Sequence, residues 1–233
     1  MIIGFSEGDF GYQDINLTLK ELEKSDSNAF EMNVRPLDKF LKFKLTPKLK
    51  KKLFKFDFLS IHAPKFGNPK EELKIISKLK ELDQELDFNA ITVHPDIISD
   101  FEIWDQSKLP IAMENMDKDK MVGKHIAFFK PLIKYDFKFV VDLQHIYEND
   151  PSMKLGLDFL ELFQGRLSHI HLSGSTSELH HSPTYLSENK DAIISLLKEA
   201  PEVPIILEGI LGENRVAKIK KELEFVKKIL AKN

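Results

Sequence analysis

The sequence predicts a single α/β domain over residues 1–233, a closed (β/α)8 barrel on eight parallel strands. Three observations carry this. Short apolar runs alternate with amphipathic helical patterns along the whole chain, as in a parallel sheet covered on both faces. Eight such strand–helix units fit into 233 residues, the compact end of the range for a closed barrel. No linker, low-complexity tract or close repeat divides them. An open doubly wound sheet is the alternative architecture.

Met1–Phe5 reads as the first strand. A helix over Asp14–Lys24 follows, with Asp14 as N-cap and Ile15, Leu17, Leu19 and Leu22 apolar. Ala29–Val34 is the second strand. The Lys-rich stretch Leu41–Lys55 reads as one solvated helix with Leu and Phe turned inward; as a nucleic-acid patch it would be the one candidate phosphate tracker. Phe56–His62 is the third strand, and Pro69–Leu86 a helix with Pro at its start. Ala90–His94 is the fourth strand, with a weak helix over Ile97–Gln106. Pro110–Asn115 is the fifth, with a helix over Lys118–Phe129. Phe137–Asp142 is the sixth, with a helix over Pro151–Phe163. Leu167–Leu172 is the seventh, with a helix over Ser187–Ala200. Val203–Glu208 is the eighth, and Asn214–Leu230 the closing helix.

Composition narrows the function classes. A net charge of −3 provides no global field for nucleic acid or anionic membrane. Arg35, Arg166 and Arg215 are the only arginines, so bidentate phosphate clamps are few. Without cysteine, disulfides and thiolate metal sites are excluded, and any metal is held by N and O donors. The N-terminus lacks the pattern of a signal peptide, and no apolar run approaches the length of a membrane span, so cytoplasm is the expected location and no membrane partner is expected.

Polar residues gather where strands end. Strands three and four end in His62 and His94, strand five in Glu114, strand six in Asp142 with His145 three residues on, strand seven in His169 and His171, and strand eight in Glu208. Of eight histidines only His125 lies inside a predicted helix. In a barrel these ends converge on one face, where active sites form. Each residue alone has an ordinary structural reading, as a capped strand end or an ion-paired carboxylate. Together they place imidazoles and carboxylates in one confined mouth, where charge is tolerated only when paired or bound to metal. With no Arg and few Lys at the strand ends, a divalent ion is the natural counter-charge.

The ordered set Ser60-Ile61-His62-Ala63-Pro64, Thr92-Val93-His94-Pro95, Met113-Glu114-Asn115, Val141-Asp142-Leu143-Gln144-His145, His169-Ile170-His171-Leu172-Ser173, His181-Ser182-Pro183 and Leu207-Glu208 resembles the xylose isomerase-like superfamily of TIM barrels. That superfamily includes endonuclease IV and many sugar isomerases and epimerases. The resemblance implies that Glu114, Asp142, His171 and Glu208 form a shared four-ligand set, with Glu114 and Glu208 also moving protons in epimerase-type members. It implies further ligands in His62, His94, His145 and His181, and a site-lining place for His169. Glu31 is similar to the acidic residue of strand two, and Asn115 follows Glu114 in its motif. The chain departs from the pattern after strand seven: Leu179 stands where an Asp two before His181 is usual, Glu178 and His180 form an alternative acid-x-His pair, and Pro183–Leu186 contains no Gly.

Two enzymatic readings follow from the resemblance. The first, favoured by the small size, the acidic net charge and the four-ligand core, is an isomerase or epimerase of a small sugar or sugar phosphate, using a metal-stabilised enediolate and proton transfer by Glu114 and Glu208. The second is a multi-zinc phosphodiesterase of the abasic-site endonuclease type, with nucleic acid as partner. A third is a barrel that binds metal or a partner without catalysis. Zinc or manganese leads the metals expected, with cobalt or magnesium behind. Specificity is expected in the loops Phe66–Asn68, Asp117–Lys120, Tyr147–Asp150 and Ser173–Tyr185.

Overall fold

A computed structural model describes residues 1–11 and 14–231. Among them are β1 (Ile3–Ser6), β2 (Ala29–Met32), β3 (Phe58–His62), β4 (Ala90–Val93), β5 (Ile111–Glu114), β6 (Lys138–Asp142), β7 (Leu167–Leu172) and β8 (Ile205–Leu207). Each strand pairs in parallel with its sequence neighbours, and β8 returns to β1 with Ile3 opposite Ile205. The sheet is therefore a closed barrel and not the open alternative. Among the described residues no helix is long and apolar enough to cross a membrane.

Strand side chains alternate, so every second residue faces the barrel axis. The lowest interior tier is apolar: Ala29, Phe58, Ala90, Ala112, Val140 and Ile206 are buried against one another. Two residues along, Glu31, Ser60 and Thr92 make a polar tier joined by hydrogen bonds. At the C-terminal mouth stand His62, His94, Glu114, Asp142, His171 and Glu208. The opposite faces of the strands, with residues such as Phe30, Ile61, Val93 and Leu172, are buried in the main apolar core shared with the helices. Gly4 permits close contact of β1 and β2, since a Cβ there would lie 1.7 Å from the Ala29 carbonyl oxygen.

The helices are α1 (Ile15–Leu22), α2 (Leu37–Lys42), α3 (Pro47–Leu53), α4 (Pro69–Leu86), α5 (Phe101–Gln106), α6 (Ile126–Phe129), α7 (Leu143–Asn149), α8 (Lys154–Leu162), α9 (Lys190–Glu199) and α10 (Arg215–Leu230). Asp14 caps α1 as expected, accepting from the Asn16 amide at 2.8 Å. Four expectations need correction. The stretch Leu41–Lys55 is not one helix: Thr46 and Pro47 restart it, Thr46 Oγ1 accepting from the Leu49 amide at 3.2 Å. Its lysines face outward, and Lys50 pairs with Glu85 at 2.7 Å. The helix expected over Lys118–Phe129 is reduced to α6, because Gly123 takes a φ of 81° and its carbonyl accepts the Met116 amide, closing a loop. His125 is accordingly the N-cap of α6 and lies outside the helix. The helix expected over Ile97–Gln106 begins only at Phe101, capped by Asp100. The loop expected over Tyr147–Asp150 is mostly helix: α7 starts directly on Asp142 and runs to Asn149, ahead of α8, which is the helix expected over Pro151–Phe163.

Two buried acids brace this frame. Glu72 on α4 accepts from the Ser99 amide, the Ser99 hydroxyl and Trp104 Nε1, tying the short α5 to the long α4. Glu7, on the 3-10 turn Glu7–Phe10, accepts from the Asn33 amide at 3.0 Å. Burial raises the Glu7 carboxyl to about 7, against the lowering effect of that hydrogen bond. The folded chain thus keeps a proton that the unfolded chain loses above the ordinary value of 4.5. Folded protein binds more protons in this window, so stability falls as pH rises through it and levels off above about 7. The contribution is at most about 3 kcal/mol. Glu7→Gln removes the dependence: between pH 4.5 and about 8, wild type should lose up to about 3 kcal/mol relative to the variant in urea titrations. Parallel pH curves for the two proteins would show that Glu7 is ionised in the fold.

Candidate metal centre

Glu114 is at the centre of the mouth and is 1% exposed. Its Oε2 lies 2.9 Å from His94 Nε2 and 3.4 Å from His62 Nε2, while its Oε1 lies 2.9 Å from His171 Nδ1. One carboxylate therefore belongs to two donor groups: His62, His94 and Glu114 on one side, and Glu114, Asp142, His171 and Glu208 on the other. Within each group the donor atoms lie within 4.8 Å of one another. His171 Nδ1 is also 3.3 Å from Glu208 Oε2.

The backbone orients these side chains. His62 Nδ1 faces the Ala63 carbonyl at 3.1 Å; a carbonyl only accepts, so Nδ1 carries the proton and Nε2 is left as a donor atom for the site. His145 Nδ1 likewise donates to the Asn115 carbonyl at 2.9 Å. Asp142 is the N-cap of α7 and accepts from the His145 amide at 2.9 Å through Oδ1, which leaves Oδ2 for the site. Asn115 holds Asp142 in place, donating to its carbonyl at 3.1 Å and accepting from its amide at 2.7 Å.

Below this layer, Glu31 accepts from Thr92 Oγ1 at 2.8 Å and Ser60 Oγ at 3.1 Å, and lies 3.4 Å from His171 Nε2. His169 is wedged between, with its Nε2 3.1 Å from His171 Nε2 and its Nδ1 3.1 Å from Ser168 Oγ. His171 therefore has one nitrogen toward the ligand group and the other toward a buried carboxylate, an arrangement that fixes tautomer and ring angle in metal-ligating histidines.

The electrostatics are those of a charge-dense site removed from water. Burial pushes the Glu114 carboxyl up, but the His171, His62 and His94 imidazoles overcome it and hold it well below the usual carboxylate range. Burial disfavours a proton on His171, yet Glu208, Glu31 and Glu114 raise it well above the ordinary imidazole value. His145 is likewise pushed up to about 9, its burial outweighed by Asp142 and Glu114. His94 falls to about 4 by burial, despite Glu114. In the metal-free protein, imidazolium on His171 and His145 supplies the positive charge that the carboxylates require.

The donor set fits divalent metal. His94 Nδ1, Glu114 Oε2 and Asp142 Oδ2 are buried without a hydrogen-bond partner, a costly state for such groups. Glu114 Oε2 and the His94 and His62 nitrogens are close, yet they are not aligned as hydrogen bonds. They lie close enough together to share one ion.

The remaining expected residues divide. His181 Nδ1 is 3.0 Å from Ser173 Oγ, and its ring centroid is 5.5 Å from that of His145, so it borders the Asp142 side. Glu178 is exposed, and His180, 77% exposed in its side chain, turns out to Glu148 at 3.2 Å; neither is brought to the cluster. The sequence reading also missed residues. The mouth opens into a cavity of about 340 Å³ whose lining includes Asp9, Arg35, Lys65 and Lys120. The expectation that the strand ends lack cations is thus corrected: the cations come from loops, three or more residues beyond β2, β3 and β5. Burial, with Glu208, Glu222 and Glu31 nearby, raises the Asp9 carboxyl well above its ordinary value.

Metal binding should release protons, because an ion takes neutral imidazole and displaces the protons on His171 and His145. Apparent affinity should rise with pH until His145 titrates at about 9. Calorimetry of zinc binding at about pH 7, in buffers of different ionisation heat, should detect release of about one proton or more per chain. No release would show that the imidazoles are already neutral.

No protein-family profile and no curated protein matches the chain. Solved structures do. Endonuclease IV from Thermus thermophilus superposes with a TM-score of 0.72 at 17% identity, covering 100% of both chains. A xylose isomerase domain protein from Alicyclobacillus acidocaldarius gives 0.68 at 12% identity, over 99% of this chain and 98% of that one. A xylose isomerase domain-containing protein from Salmonella typhimurium gives 0.66 at 13% identity, over 98% and 97%. The chain has the fold of the xylose isomerase-like TIM barrels.

Proposed function

We propose that this chain is a metal-dependent phosphodiester hydrolase with two divalent ions held side by side at the barrel mouth. The observation that carries the reading is Glu114, whose two oxygens are divided between two adjacent donor groups. Its Oε2 is turned to His94 and His62 and its Oε1 to His171, so each oxygen belongs to a different donor group. A carboxylate shared between two positions suits a two-metal site. Imidazole and carboxylate donors without thiolate suit zinc. The likeness to an endonuclease supports the reading at the level of fold.

Bound ions would supply Lewis acidity toward phosphoryl oxygens and a nucleophilic water at neutral pH. The residues of the chain do the rest. Glu114 fixes the relation between the two positions. His62 and His94 would hold an ion at one of them, and Asp142, His171 and Glu208 at the other. The Ala63 carbonyl keeps His62 in its donor tautomer, and Glu31 does the same for His171. His145 and His181, beside Asp142, form an incomplete third group: Leu179 offers no donor, and Glu178 faces solvent.

The isomerase reading rests on Glu208, the most open of the four-ligand group with a side chain 15% exposed. Metal counting and two assays separate the readings. We expect two zinc ions per chain and hydrolysis of bis(4-nitrophenyl) phosphate. His62→Ala should hold one ion fewer and lose about a hundredfold or more in kcat. One exchangeable ion, with solvent deuterium entering a ketose and no esterase activity, would establish the isomerase reading. If Glu208→Gln left metal content and both activities intact, the site itself would be misassigned.

A further inference from the structure

We propose that Lys65, Lys120 and Arg35 form a cradle for a second phosphate group of the substrate, next to the one presented to the metal centre. The inference rests on the phosphodiester reading above and deepens it. The three residues come from three separate loops, after β3, β5 and β2 respectively, yet all line the cavity that also contains His62, His94 and Glu114. A chain of net charge −3 with three arginines has no general basic excess that would bring them together by chance.

Their arrangement is that of a built site. Lys120 Nζ is anchored on Asp96 Oδ2 at 2.9 Å. Lys65 and Arg35 line the same cavity beside it. Burial, then the charges of Lys120 and Arg35, hold Lys65 below the usual lysine range even with Asp96 nearby. Asp96 does not neutralise both lysines by contact, because its Oδ1 is buried without a hydrogen-bond partner. Cations that line one cavity repel one another, and a bound anion relieves this.

Donors approaching from three loops suit the several oxygens of a phosphate better than the two of a carboxylate, which a single arginine can satisfy. The position is also defined. Lys65 follows His62 by three residues, and Asp96 Oδ1 lies 3.9 Å from His94 Nδ1, so the cradle adjoins the His62–His94 side of the centre. A neighbouring phosphate of a nucleic-acid strand and the terminal phosphate of a small bisphosphate share this chemistry.

The probe that does not depend on turnover is sulfate, titrated calorimetrically into zinc-loaded full-length protein, with metal content measured alongside. Lys65→Met/Lys120→Met should weaken its binding by about tenfold or more, since two charge-assisted hydrogen bonds are lost at once. Equal sulfate affinity in the two proteins overturns the cradle, whatever the hydrolysis assays give. The kinetic arms compare bis(4-nitrophenyl) phosphate, a short oligonucleotide and a small sugar bisphosphate carrying a 4-nitrophenyl ester. The double variant should raise KM for a substrate with a second phosphate about tenfold more than for the single diester. Whichever of the last two shows this identifies the source of the phosphate. Equal effects on all three overturn the proposal. If none is hydrolysed but sulfate binding still depends on the lysines, the phosphodiester reading fails and the anion cradle stands.

Discussion

Everything at the mouth of this barrel depends on how Glu114 is satisfied. A buried carboxylate is expensive unless it is paired. This one is surrounded by three imidazoles that also need partners. Strand alternation imposes the problem: once Ala112 faces the axis among the apolar lower tier, Glu114 must face it too. The answer is collective. Protons on His171 and His145 supply positive charge, and the donor groups they border are of a kind that could hold a metal ion instead. The polar tier of Glu31, Ser60, Thr92 and His169 insulates this layer from the apolar plug below.

Much of this was legible in the sequence. The eight strands were, because each is a short apolar run and most carry a charged or imidazole residue at the end. His62, His94, Glu114, Asp142, His171 and Glu208 were legible as a group, because the closure of a parallel barrel converts separate strand ends into one place. The helices were less so. Amphipathic spacing marks where a helix can form, but local interactions decide where it starts. Thr46-Pro47 divides one predicted helix, and Gly123 dissolves the first part of another. Asp142 shows the difficulty most directly, since one residue ends a strand, caps α7 and faces the candidate site.

The loop residues were beyond reach. Nothing local in Val34-Arg35-Pro36, Pro64-Lys65-Phe66 or Asp119-Lys120-Met121 says that these cations meet; their meeting follows from the barrel register and from the Asp96 contact. The loop after β7 misleads in the opposite way. Glu178 and His180 have the spacing of a metal pair, yet the Gly174–Ser182 bridge and the Thr176–Leu179 turn direct them outward and leave only His181 beside the cluster.

The pairing of Asn115 with Asp142 has a consequence for how this protein can change. By bonding to both backbone groups of Asp142, the Asn115 side chain acts as one more rung of the sheet above the last regular pair of β5 and β6. Asp142 and, through the Asn115 carbonyl, His145 are thus tied to the residue that follows Glu114. The loops that line the cavity can then lengthen, shorten or exchange charges without disturbing the spacing of Glu114 and Asp142. In this molecule the spacing of Glu114 and Asp142 is set by the sheet, and the charges around them by the loops.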